Sequence, residues 1–244
     1  MPSKREILST IKDSFATYLE VGTSRSPAKL KILHGKIAKD IQEALGRNFT
    51  ILSQGYGEDK EIYVEGRYYP KKIDITVKYE GHPVAAFGVK FVMRNYSQNS
   101  NNYYENMLGE TANLRANHIP YFQIFIIFDK VPYYKKGGEF SKYDNFSEHH
   151  IEKYIKLSHD DPDTSIHTPD KTLIMVLNLK EKSPNYRFIS EQDYAEYYSA
   201  HINDNELITY SNEITNNFGE GVILNDYEDF ISKSKSIILA KINA

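Results

Sequence analysis

Three nearly continuous apolar segments constrain the fold of this chain more than any other feature. They are VAAFGVKFVM at residues 84–93, PYFQIFIIFDKV at 120–131 and KTLIMVLNLK at 171–180. Strands with this composition are buried on both faces, which is typical of the centre of a sheet covered by helices on each side. The sequence therefore predicts an α/β fold whose inner strands are shielded from solvent.

Helical periodicity and shorter strand-like runs surround these segments. Helices are predicted over 4–20, after SRSPAK, and over 99–118, 140–157, 190–201 and 225–241. In the second helix, Ser26 is a suitable N-cap and Pro27 suits the first turn. Strands are predicted within 49–57, 60–69 and 71–81. This order of elements indicates a mixed central β-sheet flanked by helices.

The length of 244 residues favours one domain, with a core at about 28–180 and a C-terminal helical elaboration at about 188–244. The absence of cysteine excludes disulfides, cysteine-based zinc sites and cysteine nucleophiles. The formal net charge of −3 provides no global basic field, so DNA binding would need a local basic cleft.

Nothing in the N-terminal stretch or the apolar runs indicates targeting to a membrane. The N-terminal residues alternate charged and apolar side chains and contain no h-region, so no signal peptide is predicted. No apolar run is long enough to span a bilayer. We therefore expect a soluble cytoplasmic protein with no membrane partner.

The run KKIDITVKYEGHPVAAFGVKF, at residues 71–91, places one acid and one lysine on two strands joined by a tight turn. Pairing about that turn brings Asp74 and Lys90 roughly opposite one another. A carboxylate there suits a hard divalent cation, and a lysine beside it can orient water and stabilise developing negative charge. Lys90 also follows a very apolar run, where a lone ammonium group is costly to place without a partner.

The residues IDITV and AAFGVKF, followed by a helix and IPYFQIFIIFDK, resemble the PD-(D/E)XK nuclease superfamily and, within it, type II restriction endonucleases. The resemblance covers about residues 28–130. By position, Asp74 matches the metal-binding aspartate, Val89 the variable residue and Lys90 the catalytic lysine. The usual proline before the aspartate is Ile73 here, and the usual acid of the motif is Gly88.

The resemblance implies a restriction-endonuclease-like core and Mg²⁺-dependent, sequence-specific hydrolysis of phosphodiester bonds in double-stranded DNA. It implies a homodimer, because a palindromic DNA site mirrors a two-fold protein. It also allows a cognate DNA methyltransferase as a partner in a restriction-modification system.

Gly88 leaves the acidic set of the motif incomplete, although its missing side chain leaves room for a longer acid. Some relatives supply the second acid from the following helix, where Glu105 and Glu110 stand. We favour Glu105, which is nearer the helix start, with Glu110 as the alternative and Glu65 as a further candidate. The predicted catalytic residues are Asp74, Lys90 and Glu105, and the predicted Mg²⁺ ligands are Asp74, Val89 through its carbonyl, Glu105 and Glu110.

The segment MRNYSQNSNNYYEN, at residues 93–106, follows Lys90 and combines an arginine with amides and tyrosines. Amides read adenine edges and arginine reads guanine edges, while hydroxyl groups hold phosphates. The lysine-rich face of the second helix can contact the phosphate backbone. The predicted DNA contacts are Arg94, Asn95, Tyr96, Ser97, Gln98, Asn99, Asn101, Asn102 and Lys36. The loop at 133–143 is either a DNA clasp or a surface loop.

Other motifs compete with this interpretation. Glu58-Asp59-Lys60 is a literal E-X-K, but it precedes Asp74; Pro169-Asp170 is a literal P-D with no suitable E-X-K after it. His149 and His150, with His159 and the acids beside it, lack a known ligand spacing. Two other functions remain open: an inactive DNA-binding module that lost its acid at Gly88, and a protein-interaction domain with a surface rich in tyrosine and asparagine.

Overall fold

The computed structural model describes residues 3–21, 28–181, 183 and 185–243, so Ser26 and Pro27, the predicted cap, lie outside the described residues. The helices are α1 (Lys4–Val21), α2 (Ala28–Leu45), α3 (Tyr96–Arg115), α4 (Glu148–Ser158), α5 (Glu191–Ala200) and α6 (Tyr227–Ile242). None of these described helices combines the length and the apolarity needed to cross a lipid bilayer.

The strands form one large mixed sheet and two small ribbons. They are β1 (Phe49–Ser53), β2 (Ile62–Val64), β3 (Lys71–Ile73), β4 (Ile75–Tyr79), β5 (His82–Val92), β6 (Tyr121–Phe128), β7 (Lys130–Tyr134), β8 (Phe140–Asn145), β9 (Lys171–Leu179), β10 (Ile208–Tyr210) and β11 (Val222–Leu224). The large sheet has the order β1-β4-β5-β6-β9-β10, with β11 also paired to β9. The ribbons are β2-β3 and β7-β8.

The three apolar segments form the centre of the sheet, as predicted. β5 pairs parallel to β6, and β6 pairs parallel to β9, while β1, β4 and β10 run antiparallel to their neighbours. The fold is therefore α/β, with a mixed central sheet flanked by helices. Strands buried on both faces are characteristic of such layers.

Helices cover both faces of these central strands. On one face, Phe87 of β5 stacks on Phe122 of β6 with ring centroids 4.6 Å apart, and Phe230 of α6 packs edge-on against both. On the other face, Phe125 of β6 packs against Tyr154 of α4. The alternation along β6 thus divides its aromatic side chains between two helical layers.

Three predictions about elements were wrong in part. The segment 140–157 is not one helix: its first six residues form β8, which pairs with β7 around two glycines of positive φ, Gly137 and Gly138. The run 71–81 is broken at Asp74 into β3 and β4. The segment after residue 188 contains β10 and β11 as well as helices, and these three-residue strands are too short to show a period of two.

Candidate active site

Asp74 lies at the break between β3 and β4, against the central strand β5. Ile75 of β4 pairs with Phe87 of β5, and continuing that antiparallel register by one step places Asp74 opposite Gly88. The Oδ2 atom of Asp74 accepts a hydrogen bond of 2.7 Å from the backbone N–H of Val89. Asp74 is therefore two residues out of register with Lys90, which shares a face of β5 with Gly88.

A cavity of about 280 Å³ opens beside this break in the chain. Strand β5 forms one wall, helix α3 covers another, and β6 closes the back. The polar and aromatic lining residues that bear on the chemistry are Asp74, Lys90, Tyr103, Asn106, Glu110, Tyr121 and Gln123. The structure thus brings Asp74 and Lys90, two of the predicted catalytic residues, to one pocket.

The place of the missing acid is filled by Tyr121. A Cβ atom on Gly88 would overlap the Tyr121 hydroxyl oxygen, and it would also lie 3.1 Å from Gln123 Oε1. That hydroxyl lies 3.2 Å from Glu110 Oε2 and 3.1 Å from Gln123 Oε1. The room expected above Gly88 is therefore occupied by a phenol that is hydrogen-bonded to a carboxylate of α3.

Glu110 reaches the pocket, whereas Glu105 does not line it. Glu110 is half-buried and forms an ion pair of 2.5 Å with Lys71 of β3. Glu105 is exposed, and its charge acts on Lys153 of α4. Five residues correspond to about 140° around a helix, so the two acids point to different sides of α3. Glu65 is exposed in the loop after β2 and does not line the pocket either.

Lys90 projects into the pocket without a carboxylate partner among the described residues. Its Nζ atom lies 4.4 Å from the centroid of the Tyr103 ring, which provides a cation–π contact. Desolvation by the pocket walls lowers the pKa of Lys90, and the negative charges of Asp74 and Glu110 oppose that shift only in part. The ammonium group reaches solvent through the pocket mouth, which accounts for a lysine after so apolar a run.

A second group of ligand atoms meets Asp74 from the side of α2. One ligand atom each of His34, Glu61 and Asp74 lie within 4.8 Å of one another. His34 is only 3% exposed, and neither of its ring nitrogens has a hydrogen-bond partner among the described residues, although Nδ1 lies 3.8 Å from Glu61 Oε1. Burial lowers the pKa of His34 to about 4, so the imidazole is neutral and can donate a lone pair. A neutral buried imidazole that lacks a hydrogen bond is suited to act as a cation ligand.

Burial also controls the charge of Asp74. It raises the pKa of Asp74 to about 7, against the opposing effect of the Val89 hydrogen bond. The neighbouring carboxylates of Glu61 and Glu110 raise this pKa further. A cation bound beside Asp74 would favour the charged form of this carboxyl group.

Neither His34 nor Glu61 was predicted from the sequence. His34 stands between Leu33 and Ile37 on the apolar stripe of α2, and a histidine on such a stripe is a signal that could have been used. Gln123 could also have been singled out from the sequence, since it is the one amide side chain in the apolar segment of β6. Glu61 gave no comparable signal, since it precedes a short strand in a charged run.

The structure gives several predicted DNA-contacting residues partners within the fold. Arg94 forms an ion pair with Glu191 of α5. The Asn95 side chain accepts from the Tyr134 N–H at 2.8 Å and donates to the Tyr134 carbonyl at 3.2 Å. Tyr96 is fully buried. These side chains hold the start of α3 against β7 and α5.

The remaining predicted contacts divide between bonded and exposed side chains. Ser97 donates to Asp144 Oδ2 from both its backbone N–H and its hydroxyl, at 3.0 and 2.8 Å. Lys36 is paired with Glu6 at 2.9 Å and with Asp40 at 2.6 Å. Asn99 is half-buried and donates to the carbonyl of Asn95, the residue before α3, at 3.3 Å. Ser97, Gln98, Asn101 and Asn102 are exposed, and Asn101 Oδ1 accepts from Lys153 Nζ at 3.4 Å.

In the structure, the residues of the competing motifs form ion pairs or cap a helix away from the pocket. Asp170 is buried and accepts from Arg115 Nε at 3.0 Å, so it serves an internal ion pair. Glu58 and Lys60 pair with each other on an exposed turn. His150 accepts from a backbone N–H at the N-terminus of α4 and belongs to its capping box. None of them lines the pocket.

Comparison with protein-family models, with curated protein sequences and with solved structures gave no match in any of the three. The function must therefore be inferred from the site itself. At this site Asp74, Glu110 and Lys90 converge beside β5, and the buried imidazole of His34 has no hydrogen-bond partner among the described residues.

Proposed function

We propose that this protein is a divalent-metal-dependent nuclease that hydrolyses phosphodiester bonds in double-stranded DNA. Its core would be restriction-endonuclease-like, and its activity that of a sequence-specific type II enzyme. The observation that carries the proposal is the convergence of Asp74, Glu110 and Lys90 on one pocket. Asp74 and Lys90 are the two residues on which the resemblance to the PD-(D/E)XK superfamily rests.

The acids around Asp74 are suitable ligands for a divalent cation. Asp74 Oδ2 is occupied by the Val89 N–H, and Oδ1 remains to bind a cation. Glu110 would complete the set on one side, with the Val89 carbonyl as a further donor, and His34 with Glu61 on the other. Carboxylates suit Mg²⁺ and Mn²⁺, while an imidazole ligand shifts the preference toward transition metals. When bound, the cation supplies Lewis-acid polarisation of the scissile phosphate.

Lys90 would act on the water that attacks the phosphate. Its lowered pKa increases the fraction of neutral amine, which can accept a proton from that water. In the protonated form the ammonium group can stabilise the charge that develops on the phosphoryl oxygens. Its contact with the Tyr103 ring holds it over the pocket without neutralising it.

The ion pairs formed by Glu110 and Glu61, the two acids beside Asp74, favour a second function. Lys71 pairs with Glu110, and Lys72 pairs with Glu61 at 3.0 Å. Tyr121 fills the position of the motif acid. These contacts are compatible with a DNA-binding module that has lost catalysis. Such a module would bind duplex DNA without a metal and would not cut it.

The experiment that tests the proposal is digestion of a panel of phage and plasmid DNA with Mg²⁺ and, separately, with Mn²⁺. It compares the wild-type protein with Asp74→Ala and Lys90→Ala. Lys78→Ala is the matched control, since Lys78 lies on the same hairpin and does not line the pocket. Discrete fragments from wild type and Lys78→Ala, and none from the other two variants, are expected.

The other outcomes separate the alternatives. Fragments that persist in Asp74→Ala and Lys90→Ala would place the active site elsewhere. Salt-dependent duplex binding with no cleavage under either metal would favour the inactive module. Absence of any salt-dependent affinity for DNA would favour a protein-interaction domain.

A further inference from the structure

An exposed aromatic surface lies on the β2–β3 ribbon, residues 62–73. Tyr63 is 68% exposed, Tyr68 80% and Tyr69 51%. The guanidinium of Arg67, between them in sequence, is exposed and forms no ion pair among the described residues. Single exposed rings are ordinary, whereas three on one short ribbon make that ribbon a candidate binding surface.

The backbone of the loop that carries these side chains is held rigidly by Asn113 of α3. The Asn113 side chain accepts from the Tyr68 N–H at 3.0 Å and donates to the Tyr69 carbonyl at 2.9 Å. Its own carbonyl accepts from the Arg67 N–H at 2.8 Å. Gly66 packs so closely on Asn113 that a Cβ atom there would overlap the amide. A loop fixed in this way loses little conformational entropy when its side chains bind a partner.

The ribbon leads directly into the candidate active site. β3 ends one residue before Asp74, and Lys71 and Lys72 of β3 contact the two acids that flank it. Tyr68 is six residues from Asp74, which is at most about 20 Å of extended chain. At about 3.4 Å per base step along a strand, this is within about six base pairs of a phosphate bound at Asp74.

The charge of the ribbon complements a nucleic acid. Residues 62–73 carry three cations, Arg67, Lys71 and Lys72, and one acid, Glu65, although the whole chain has a net charge of −3. Lys71 and Lys72 are paired with Glu110 and Glu61, so Arg67 is the cation of the ribbon that no acid among the described residues neutralises. A duplex presents phosphates for the cations, and base edges and sugars for the rings.

On the basis of the proposed nuclease function, we propose that the β2–β3 ribbon lies in the major groove of the duplex bound at the pocket. The major groove admits a two-stranded β-ribbon. Arg67 would donate to a guanine edge or a phosphate, and Tyr68 and Tyr69 would pack on thymine methyl groups or sugars. These residues differ from the predicted contacts at the start of α3, most of which have partners inside the fold.

The test compares full-length Arg67→Ala/Tyr68→Ala with wild type. Fluorescence anisotropy with a labelled mixed-sequence duplex of about 30 base pairs, in EDTA, gives the binding constant over a range of salt. The matched control is Tyr186→Ala/Arg187→Ala, an exposed tyrosine–arginine pair that does not line the pocket. Thermal melting checks that each protein is folded, and plasmid cleavage with Mg²⁺ or Mn²⁺ is measured in parallel.

We expect the ribbon variant to bind the duplex about ten-fold more weakly or worse, while the control stays within about two-fold of wild type. If Arg67 contacts a phosphate, the slope of log K against log salt also falls by about 0.9. A folded ribbon variant that binds and cleaves like wild type, while Asp74→Ala abolishes cleavage, would overturn this inference and leave the nuclease function standing. If wild type neither binds nor cleaves DNA, the proposed function fails and the ribbon's role with it.

Discussion

Tyr121 is the residue that most distinguishes this pocket from the expected motif, because its phenol fills the place of the missing acid. Burial, followed by the charges of Glu110 and Asp74, raises the pKa of Tyr121 well above its ordinary value of 10. The hydroxyl thus stays protonated and can donate a hydrogen bond to Glu110 Oε2 or to Gln123 Oε1. A glycine at position 88 is the condition for this arrangement, because any side chain there would collide with the hydroxyl.

Adding a methyl group at Gly88 should therefore destabilise the fold through Tyr121. Gly88→Ala is expected to lower the free energy of unfolding by about 1–3 kcal/mol. In the Tyr121→Phe background the nearest remaining atom is Cζ, 3.0 Å from the added Cβ, so the loss should be smaller. Urea denaturation of wild type, Gly88→Ala, Tyr121→Phe and the double variant measures these free energies of unfolding. Equal losses from Gly88→Ala in both backgrounds would contradict the collision with the hydroxyl.

The raised pKa of Asp74 predicts a pH dependence of the metal-free protein. The pKa is about 7 in the folded chain and about 4 in an unfolded one. The bound proton therefore favours the folded state: its stabilising contribution is full below about pH 4 and is lost as the pH rises through about 7. Urea denaturation in EDTA at about pH 5 and about pH 8 should show that Asp74→Asn loses less stability than wild type between the two. Equal losses of stability in Asp74→Asn and wild type would contradict a raised pKa of Asp74.

At the scale of elements, α3 contributes one acid to the pocket and turns the other away. Glu110→Gln is isosteric and keeps the contact with Tyr121, but it removes the charge that would hold a cation. We expect it to reduce cleavage by about 100-fold or more, measured as the initial rate on plasmid DNA. Glu105→Gln is the matched control on the same helix, and a greater loss in that variant would restore Glu105 as the catalytic acid.

The same helix fixes the β2–β3 ribbon. Asn113→Ala leaves the Tyr68 N–H and the Tyr69 carbonyl without partners, so the free energy of unfolding should fall by about 1–3 kcal/mol. Asn117→Ala is the control, since the side chain of exposed Asn117 donates to the Glu65 carbonyl and not to the backbone of Tyr68 or Tyr69. Thermal melting compares them. Equal effects of the two substitutions would mean that Asn113 does not hold the loop.

Local patterns predicted the elements better than they predicted the site. The central strands and α3 could be predicted because long apolar or periodic runs determine them. Asp74 and Lys90 could be placed near each other because one hairpin joins them. His34 could not be placed beside Asp74, since no local pattern relates α2 to that hairpin. Helical phase alone did not decide between Glu105 and Glu110, because the direction of the pocket from α3 depends on how the helix packs.

At the scale of the whole molecule, the proposed nuclease function has a consequence for cutting a duplex, since the described part of the chain holds one candidate active site. A single site cuts one strand, so a double-strand break at a symmetric sequence calls for two copies. Mixing wild type with excess Lys90→Ala protein should therefore convert supercoiled plasmid to nicked circles, as seen on agarose gels. Linear product in simple proportion to the wild-type protein would contradict an obligate homodimer.

The position of α6 bears on how the protein is made in a cell. Phe230 of α6 packs against Phe87 on the back of β5, and Tyr227 donates to Asp40 of α2 at 2.8 Å. Translation delivers α6 long after the strand that carries Lys90. A nascent chain would thus lack the support behind that strand until late in synthesis. If the proposed function is right, we expect this order to delay nuclease activity on the ribosome, where an immature enzyme would endanger the host's own DNA.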